Sequence, residues 1–247
     1  MLETRNLTVR FGGHVAVDHV SCAFQPGTLT AIVGPNGAGK TTYFNLISGQ
    51  LRATEGEVLL GGQGITAEPA SARTHRGLGR AFQLTQLFPN LSVLENVRLA
   101  VQSRRREGLN LWSVWLDRQD TLARARELVQ QVQLGDKADA IAASLPHGDQ
   151  RKLEVAMLMA LDPQVFMFDE PTAGMSVDEV PVILDLIRAL KARRDATILL
   201  VEHKMDVVRE LADRIIVLHN GQLVADGDPA TVIASPVVQQ AYLGVAA

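Results

Sequence analysis

Leu29-Thr30-Ala31-Ile32-Val33-Gly34-Pro35-Asn36-Gly37-Ala38-Gly39-Lys40-Thr41-Thr42 is the stretch of this 247-residue chain whose reading decides its fold. Its first five residues carry no charge and predict a short buried strand; the glycines at 34, 37 and 39 predict a tight loop; the spacing from Thr41 to Ser48 predicts a helix. Strand, loop and helix in that order present backbone N–H groups at a helix N-terminus, where anions are stabilised. Gly34-x-x-x-x-Gly39-Lys40-Thr41 has the spacing of a loop that wraps phosphates. In such a loop Lys40 bridges the β- and γ-phosphates of a nucleotide and the Thr41 hydroxyl takes a Mg²⁺ ion.

Working outward, the apolar strand Val165-Phe166-Met167-Phe168 ends in Asp169-Glu170-Pro171. Two adjacent carboxylates at a strand end suit holding a metal and activating a water. Asp169 is placed to meet Mg²⁺, directly or through a water, and Glu170 to polarise the water that attacks the γ-phosphate. Two carboxylates capping a turn before Pro171 is the plainer alternative, and the glycine loop upstream disfavours it. Ile198-Leu199-Leu200-Val201 is a further strand, followed by Glu202 and His203. An isolated histidine is more often structural than catalytic, but the end of a strand beside the carboxylate strand lies within reach of a γ-phosphate.

The first thirty residues alternate and hold turn signals at Gly12-Gly13 and Pro26-Gly27, so they read as an antiparallel sheet. From Ser92 to Leu161 the pattern is mostly helical, with a capping box in Ser92-Val93-Leu94-Glu95 and a charged amphipathic helix over Leu122 to Val132. Strands and helices then alternate again, as a parallel sheet requires, and Asn220-Gly221 is a hairpin turn. The expected fold is α/β, a RecA-like parallel core of the P-loop NTPase type with an N-terminal antiparallel β subdomain and an inserted helical subdomain. One domain is expected over 1–247, with 1–83 and 162–247 forming the core and about 84–161 the helical part.

An apolar fraction of 47% supplies a sizeable core, and a net charge of −3 offers no general pull toward nucleic acid. The one cysteine, Cys22, excludes an internal disulfide and reads as a small core residue. No apolar run approaches the roughly 20 residues that span a bilayer, and the N-terminus lacks a secretory pattern, so a soluble, cytoplasmic chain is expected. Arg104-Arg105-Arg106 reads as a solvated face or a protein contact, and Trp112 with Trp115 as one apolar helix face.

Taken together, these motifs resemble the ATP-binding subunits of ABC transporters, and the resemblance covers almost the whole chain. It implies that Asn36, Gly37, Ala38, Gly39, Lys40, Thr41 and Thr42 hold ATP, that Asp169 and Thr41 serve Mg²⁺, and that Glu170 is the catalytic glutamate with His203 as its switch histidine. It also implies that Gln83, in Ala81-Phe82-Gln83, touches Mg²⁺ and the water, and that Phe11 stacks on adenine. Leu145-Pro146-His147-Gly148-Asp149-Gln150 stands at the signature position. There the family pairs two subunits head to tail, so that Gly148 and Gln150 would meet the ATP of a second subunit.

More narrowly, Leu145 to Arg151, Val201 to Met205 and Ala241-Tyr242-Leu243-Gly244 are similar to the branched-chain amino acid import ATPases, the first of the two kinds in that system. Urea or amide importers and the lipopolysaccharide-export ATPase share such a core. The partners so implied are a second ATPase subunit, two integral-membrane permeases at the cytoplasmic face of the inner membrane and, indirectly, a periplasmic solute-binding protein, with no nucleic acid. A soluble ABC ATPase acting on DNA or ribosomes would carry long coiled coils or tandem nucleotide domains, and a P-loop kinase or GTPase an acceptor site or guanine-reading loop; neither pattern occurs here. Two positions depart from the broad family. Pro146 replaces a serine whose hydroxyl would bond the γ-phosphate, a loss of about 1.5–3 kcal/mol that implies a weakened but retained ATP sandwich. Ser176 stands where an aspartate is usual, which bears on communication between the two ATP sites.

Overall fold

A computed structural model describes residues 1–81, 87–104 and 117–243. Strands β1 (Leu2–Phe11) and β2 (His14–Phe24) form an antiparallel hairpin, bulged where Asn6 and His19 take positive φ angles of 46° and 51°. β3 (Leu29–Val33), buried at all five positions, runs directly into α1 (Lys40–Ser48). The chain returns through β4 (Glu55–Leu60) and β5 (Gln63–Gly64), completing an antiparallel sheet in the order β2-β1-β4-β5. A short helix, α2 (Ala70–His75), leads to β6 (Leu78–Ala81).

Later come β7 (Val165–Asp169), β8 (Thr197–Val201) after α6 described below, β9 (Arg214–His219) and β10 (Gln222–Gly227), which complete a second sheet in the order β10-β9-β3-β8-β7-β6. β9, β3, β8 and β7 are parallel, with β10 an antiparallel edge. Asn220 and Gly221, with φ of 47° and 79°, make the β9–β10 turn that the Asn-Gly pair predicts. The strands of the parallel core are buried runs of Val, Ile, Leu and Phe, as a sheet covered on both faces demands.

The chain separates into two compact units. The first holds 1–78, 164–170 and 190–247; the second holds 79–163 and 171–189. In the second, α3 (Val93–Arg104) packs on both α4 (Asp117–Gln131) and α5 (His147–Leu161), and the chain continues after β7 into α6 (Val180–Ala192), which ends in the first unit. Ser92 Oγ accepts from the Glu95 N–H at 3.2 Å, the half of the expected capping box made by the serine, while the Glu95 carboxylate turns to Arg98. Arg104 is paired with Asp162 at 2.6 Å; Arg105, Arg106, Trp112 and Trp115 lie outside the described residues. Helices α7 (Met205–Leu211), α8 (Pro229–Ala234) and α9 (Pro236–Leu243) complete the first unit. Among the described residues no helix is long and apolar enough to cross a membrane.

Both ends of α1 are fixed. Tyr43, fully buried, shares a 2.7 Å hydrogen bond with the Thr4 hydroxyl of β1, beside Cys22, whose thiol burial pushes up to about 11. At the C-terminal end the Arg73 guanidinium, 1% exposed, donates to the carbonyls of Leu46 and Ile47, both at 2.7 Å, and to Thr66 and Glu68. A cation there complements the helix dipole, and burial draws its pKa down without removing its charge. Replacing it leaves four carbonyls without these donors. Arg73→Met is expected to cost about 3 kcal/mol in urea unfolding; a loss below about 1 kcal/mol would show that the guanidinium is not what holds this helix end.

Candidate nucleotide site

Backbone register assembles the site in the first unit. Ile32 of β3 pairs with Val201 of β8, and Val201 pairs with Asp169 of β7, so three neighbouring strands end on one row. One or two residues past that row stand Gly34, His203 and Glu170. Ligands of open parallel sheets gather at these carboxyl ends.

The loop between β3 and α1 is shaped by its protein neighbours. A Cβ on Gly34 (φ 153°) would lie 2.2 Å from the Leu218 carbonyl oxygen, and one on Gly39 (φ 95°) 2.5 Å from that of Ala16. Only glycine lets the loop sit this close to β9 and β2. Gly37 faces open space, exposed like Asn36, whereas Ala38 is 2% exposed and anchors the loop from below. Lys40, 6% exposed, folds its ammonium back onto the carbonyls of Gly34 (2.7 Å) and Pro35 (2.9 Å). Burial draws its pKa down, and the Glu170 and Asp169 charges partly offset this. The result is a desolvated cation folded onto the carbonyls of its own loop, with the Thr41 side chain exposed and Thr42 half-buried in the first helical turn.

Asp169 is 6% exposed at the end of β7. Glu170 has a positive φ of 51°, an unfavourable geometry for a residue with a side chain, and its N–H donates to the Val201 carbonyl at 2.9 Å. That turn aims its carboxylate at His203, whose Nε2 lies 2.9 Å from Oε1. An ionised carboxylate only accepts, so the donor of this bond is the His203 Nε2–H. Glu202, 3% exposed, accepts from the backbone N–H groups of His203 (2.7 Å) and Lys204 (3.1 Å) and so shapes the turn that presents His203. Sequence reading gave Glu202 no role; its signal is an acidic residue in a run otherwise destined for burial. Phe11 ends β1 with 51% of its surface exposed, an open aromatic face. Gln83 lies outside the described residues.

In the second unit the loop before α5 is ordered by its own backbone. Pro146 holds the N-cap position with φ −54° and contributes no side-chain cap. Gln150 donates its side-chain amide to the Leu145 carbonyl at 3.1 Å. Asp149, buried in the first turn, accepts from Lys137 and from Lys152; burial pushes its carboxyl up, but these hydrogen bonds and charges outweigh it and hold the pKa below the usual value. Ahead of α6, Glu179 Oε2 accepts from the Ser176 N–H (3.1 Å) and hydroxyl (3.0 Å), which is the glutamate half of a capping box. The signal for it in the sequence is the Ser-x-x-Glu pattern at 176–179.

A phosphate-cradling loop, a buried lysine and a histidine-oriented glutamate on adjacent strand ends accompany a sequence match to the ABC transporter model over residues 17–173. The chain belongs to the ABC transporter family. It is 36% identical over 251 residues to the high-affinity branched-chain amino acid transport ATP-binding protein LivG of Escherichia coli (strain K12), covering 100% of this chain and 98% of that one. Identity to BraF of Pseudomonas aeruginosa, a protein of the same description, is 34%, again over 100% and 98%. Among solved structures it is similar to the ADP conformation of MJ1267, an ATP-binding cassette of an ABC transporter, with TM-score 0.83, 30% identity and 99% of both chains covered. It also resembles the dimeric structure of MJ0796, a bacterial ABC transporter cassette, with TM-score 0.80, 26% identity and coverage of 93% and 99%.

As a member of this family the chain binds and hydrolyses ATP, and the fold expected from the sequence is the fold found. Removing the His203 ring is expected to leave Glu170 unoriented. His203→Ala should therefore lower ATP turnover by on the order of 100-fold, while the affinity for a fluorescent ATP analogue changes by less than about threefold; unchanged turnover would detach His203 from catalysis.

Proposed function

We propose that this chain is the ATP-hydrolysing subunit of an importer for branched-chain amino acids. It works as a head-to-tail pair of ATPase subunits attached peripherally, at the cytoplasmic face of the inner membrane, to two permeases fed by a periplasmic solute-binding protein. The observation that carries the reading is the end-to-end similarity to LivG and BraF, both named for branched-chain amino acid transport, together with the Glu170–His203 pair.

In this mechanism ATP lays its phosphates over the N–H groups of residues 36–42, and Phe11 takes the adenine. Lys40 exchanges its carbonyl partners for the β- and γ-phosphate oxygens, a charge-assisted bond stronger than the neutral ones it replaces. Thr41 and Asp169 are hard oxygen donors of the kind Mg²⁺ accepts alongside phosphates and waters, and Gln83 would join them; the bound ion supplies charge neutralisation at the phosphates. Glu170 takes a proton from the attacking water as the oxygen bonds to γ-phosphorus and the bond to ADP breaks. His203, donating to Oε1, keeps the carboxylate aimed during this transfer. Gly148 and Gln150 serve the ATP held by the opposite subunit, which makes ATP part of the interface and its hydrolysis the step that opens it.

Glu170→Gln removes the proton acceptor and keeps the shape. It should abolish turnover, retain ATP binding and accumulate an ATP-dependent dimer seen by gel filtration; co-expressed with its permeases in cells lacking their own system, only the unaltered chain should restore leucine uptake. Normal hydrolysis by the variant would defeat the mechanism, and uptake of another solute but not leucine would defeat the cargo. In the same background Pro146→Ser returns a hydroxyl and an N-cap, and should tighten ATP-driven dimerisation by about 10- to 100-fold, the worth of one hydrogen bond to a charged group. No tightening would mean that Pro146 does not weaken the sandwich.

A further inference from the structure

A carboxylate lies against the first turn of α5. Gly148 is its second residue, and the space a Cβ would fill there is taken by the Glu179 carboxylate: the Cβ position lies 2.0 Å from Oε1 and 2.4 Å from Oε2. The carboxylate is held in place by the Ser176 N–H and hydroxyl. On the same loop the His147 ring closes against Gly174, 3.1 Å from its Cβ position. Asp149 is matched by two ammonium groups, Lys137 and Lys152, whereas the contacts on Glu179 are a neutral hydroxyl and a neutral amide.

We infer that Glu179 is a built-in occupant of the anion seat at the start of α5, which has to be displaced before the γ-phosphate of an ATP on a second copy can dock at Gly148. This rests on the head-to-tail reading above. A helix N-terminus stabilises a carboxylate by the same partial charge that attracts a phosphate, so the two compete for one position. An ATP approaching Gly148 meets a like charge at contact distance; Glu179 has to swing clear, releasing the Ser176 N–H. Glu179 therefore sets the ATP level at which the sandwich closes, and Ser176, the position that departs from the broad family, is the latch that holds it.

A glutamine amide oxygen also accepts from the Ser176 N–H, so Glu179→Gln keeps that bond and the shape while removing the charge. In the Glu170→Gln background, the ATP concentration for half-maximal dimer formation should fall by about tenfold when Glu179→Gln is added. The difference should shrink toward zero in about 1 M salt, because repulsion between charges is screened. Binding of the fluorescent ATP analogue to monomer should not change, since residues 34–42 belong to the first unit. Equal or weaker dimerisation by Glu179→Gln overturns the inference and leaves the sandwich standing, as does an advantage that high salt does not reduce. Failure of both variants to dimerise with ATP overturns the sandwich reading and this inference with it.

Discussion

The Lys40 ammonium is the group around which the first unit is organised. It is buried, its own charge is disfavoured by desolvation, and two carbonyls of its own loop hold it. A buried cation without full compensation is costly, and the loop cannot relax away from it because Gly34 and Gly39 press against the carbonyls of Leu218 and Ala16. In the proposed mechanism phosphate replaces these two neutral acceptors by charged ones, and the helix α1 behind the loop is pinned at both ends.

The catalytic side shows the opposite economy, with strain where the first shows compression. Glu170 adopts a left-handed backbone angle that its side chain disfavours, and the turn is held by one main-chain bond to Val201. His203 is likewise presented by a turn that buries Glu202 against backbone N–H groups. Neither carboxylate nor imidazole is aimed by its own rotamer alone. Each is aimed by the neighbouring strand end, so the parallel register of β7 and β8 is what brings the two side chains together.

The parts of this site legible in the sequence are those written in consecutive residues: the glycine loop, the strand ending in Asp169-Glu170, the Asn220-Gly221 turn. Their signals are local, because each encodes a backbone conformation within a few positions. Arg73, Glu202 and Glu179 were not legible for the opposite reason. Arg73 is 27 and 26 residues from the carbonyls it binds in α1, and a polar residue destined for burial looks like any surface charge until its partners are known. Gly148 was assigned to the signature loop by resemblance, but nothing nearby in sequence tells that a carboxylate 31 positions later fills the space its missing side chain leaves.

The boundary between the two units passes between Glu170 and Pro171, and six residues after Glu170 the chain reaches Ser176. One short segment thus joins the Glu170 carboxylate of the first unit to the carboxylate that covers Gly148 in the second. The segment begins in a strained turn at Glu170 and ends in the half capping box at Glu179, two conformations each held by few bonds. Opening the half capping box frees the backbone N–H of Ser176, and relaxing the Glu170 turn frees its bond to Val201. The residue at position 176 thus matters less for the aspartate it lacks than for what it holds, since the hydroxyl and N–H of Ser176 fix the far end of the segment that starts at Glu170.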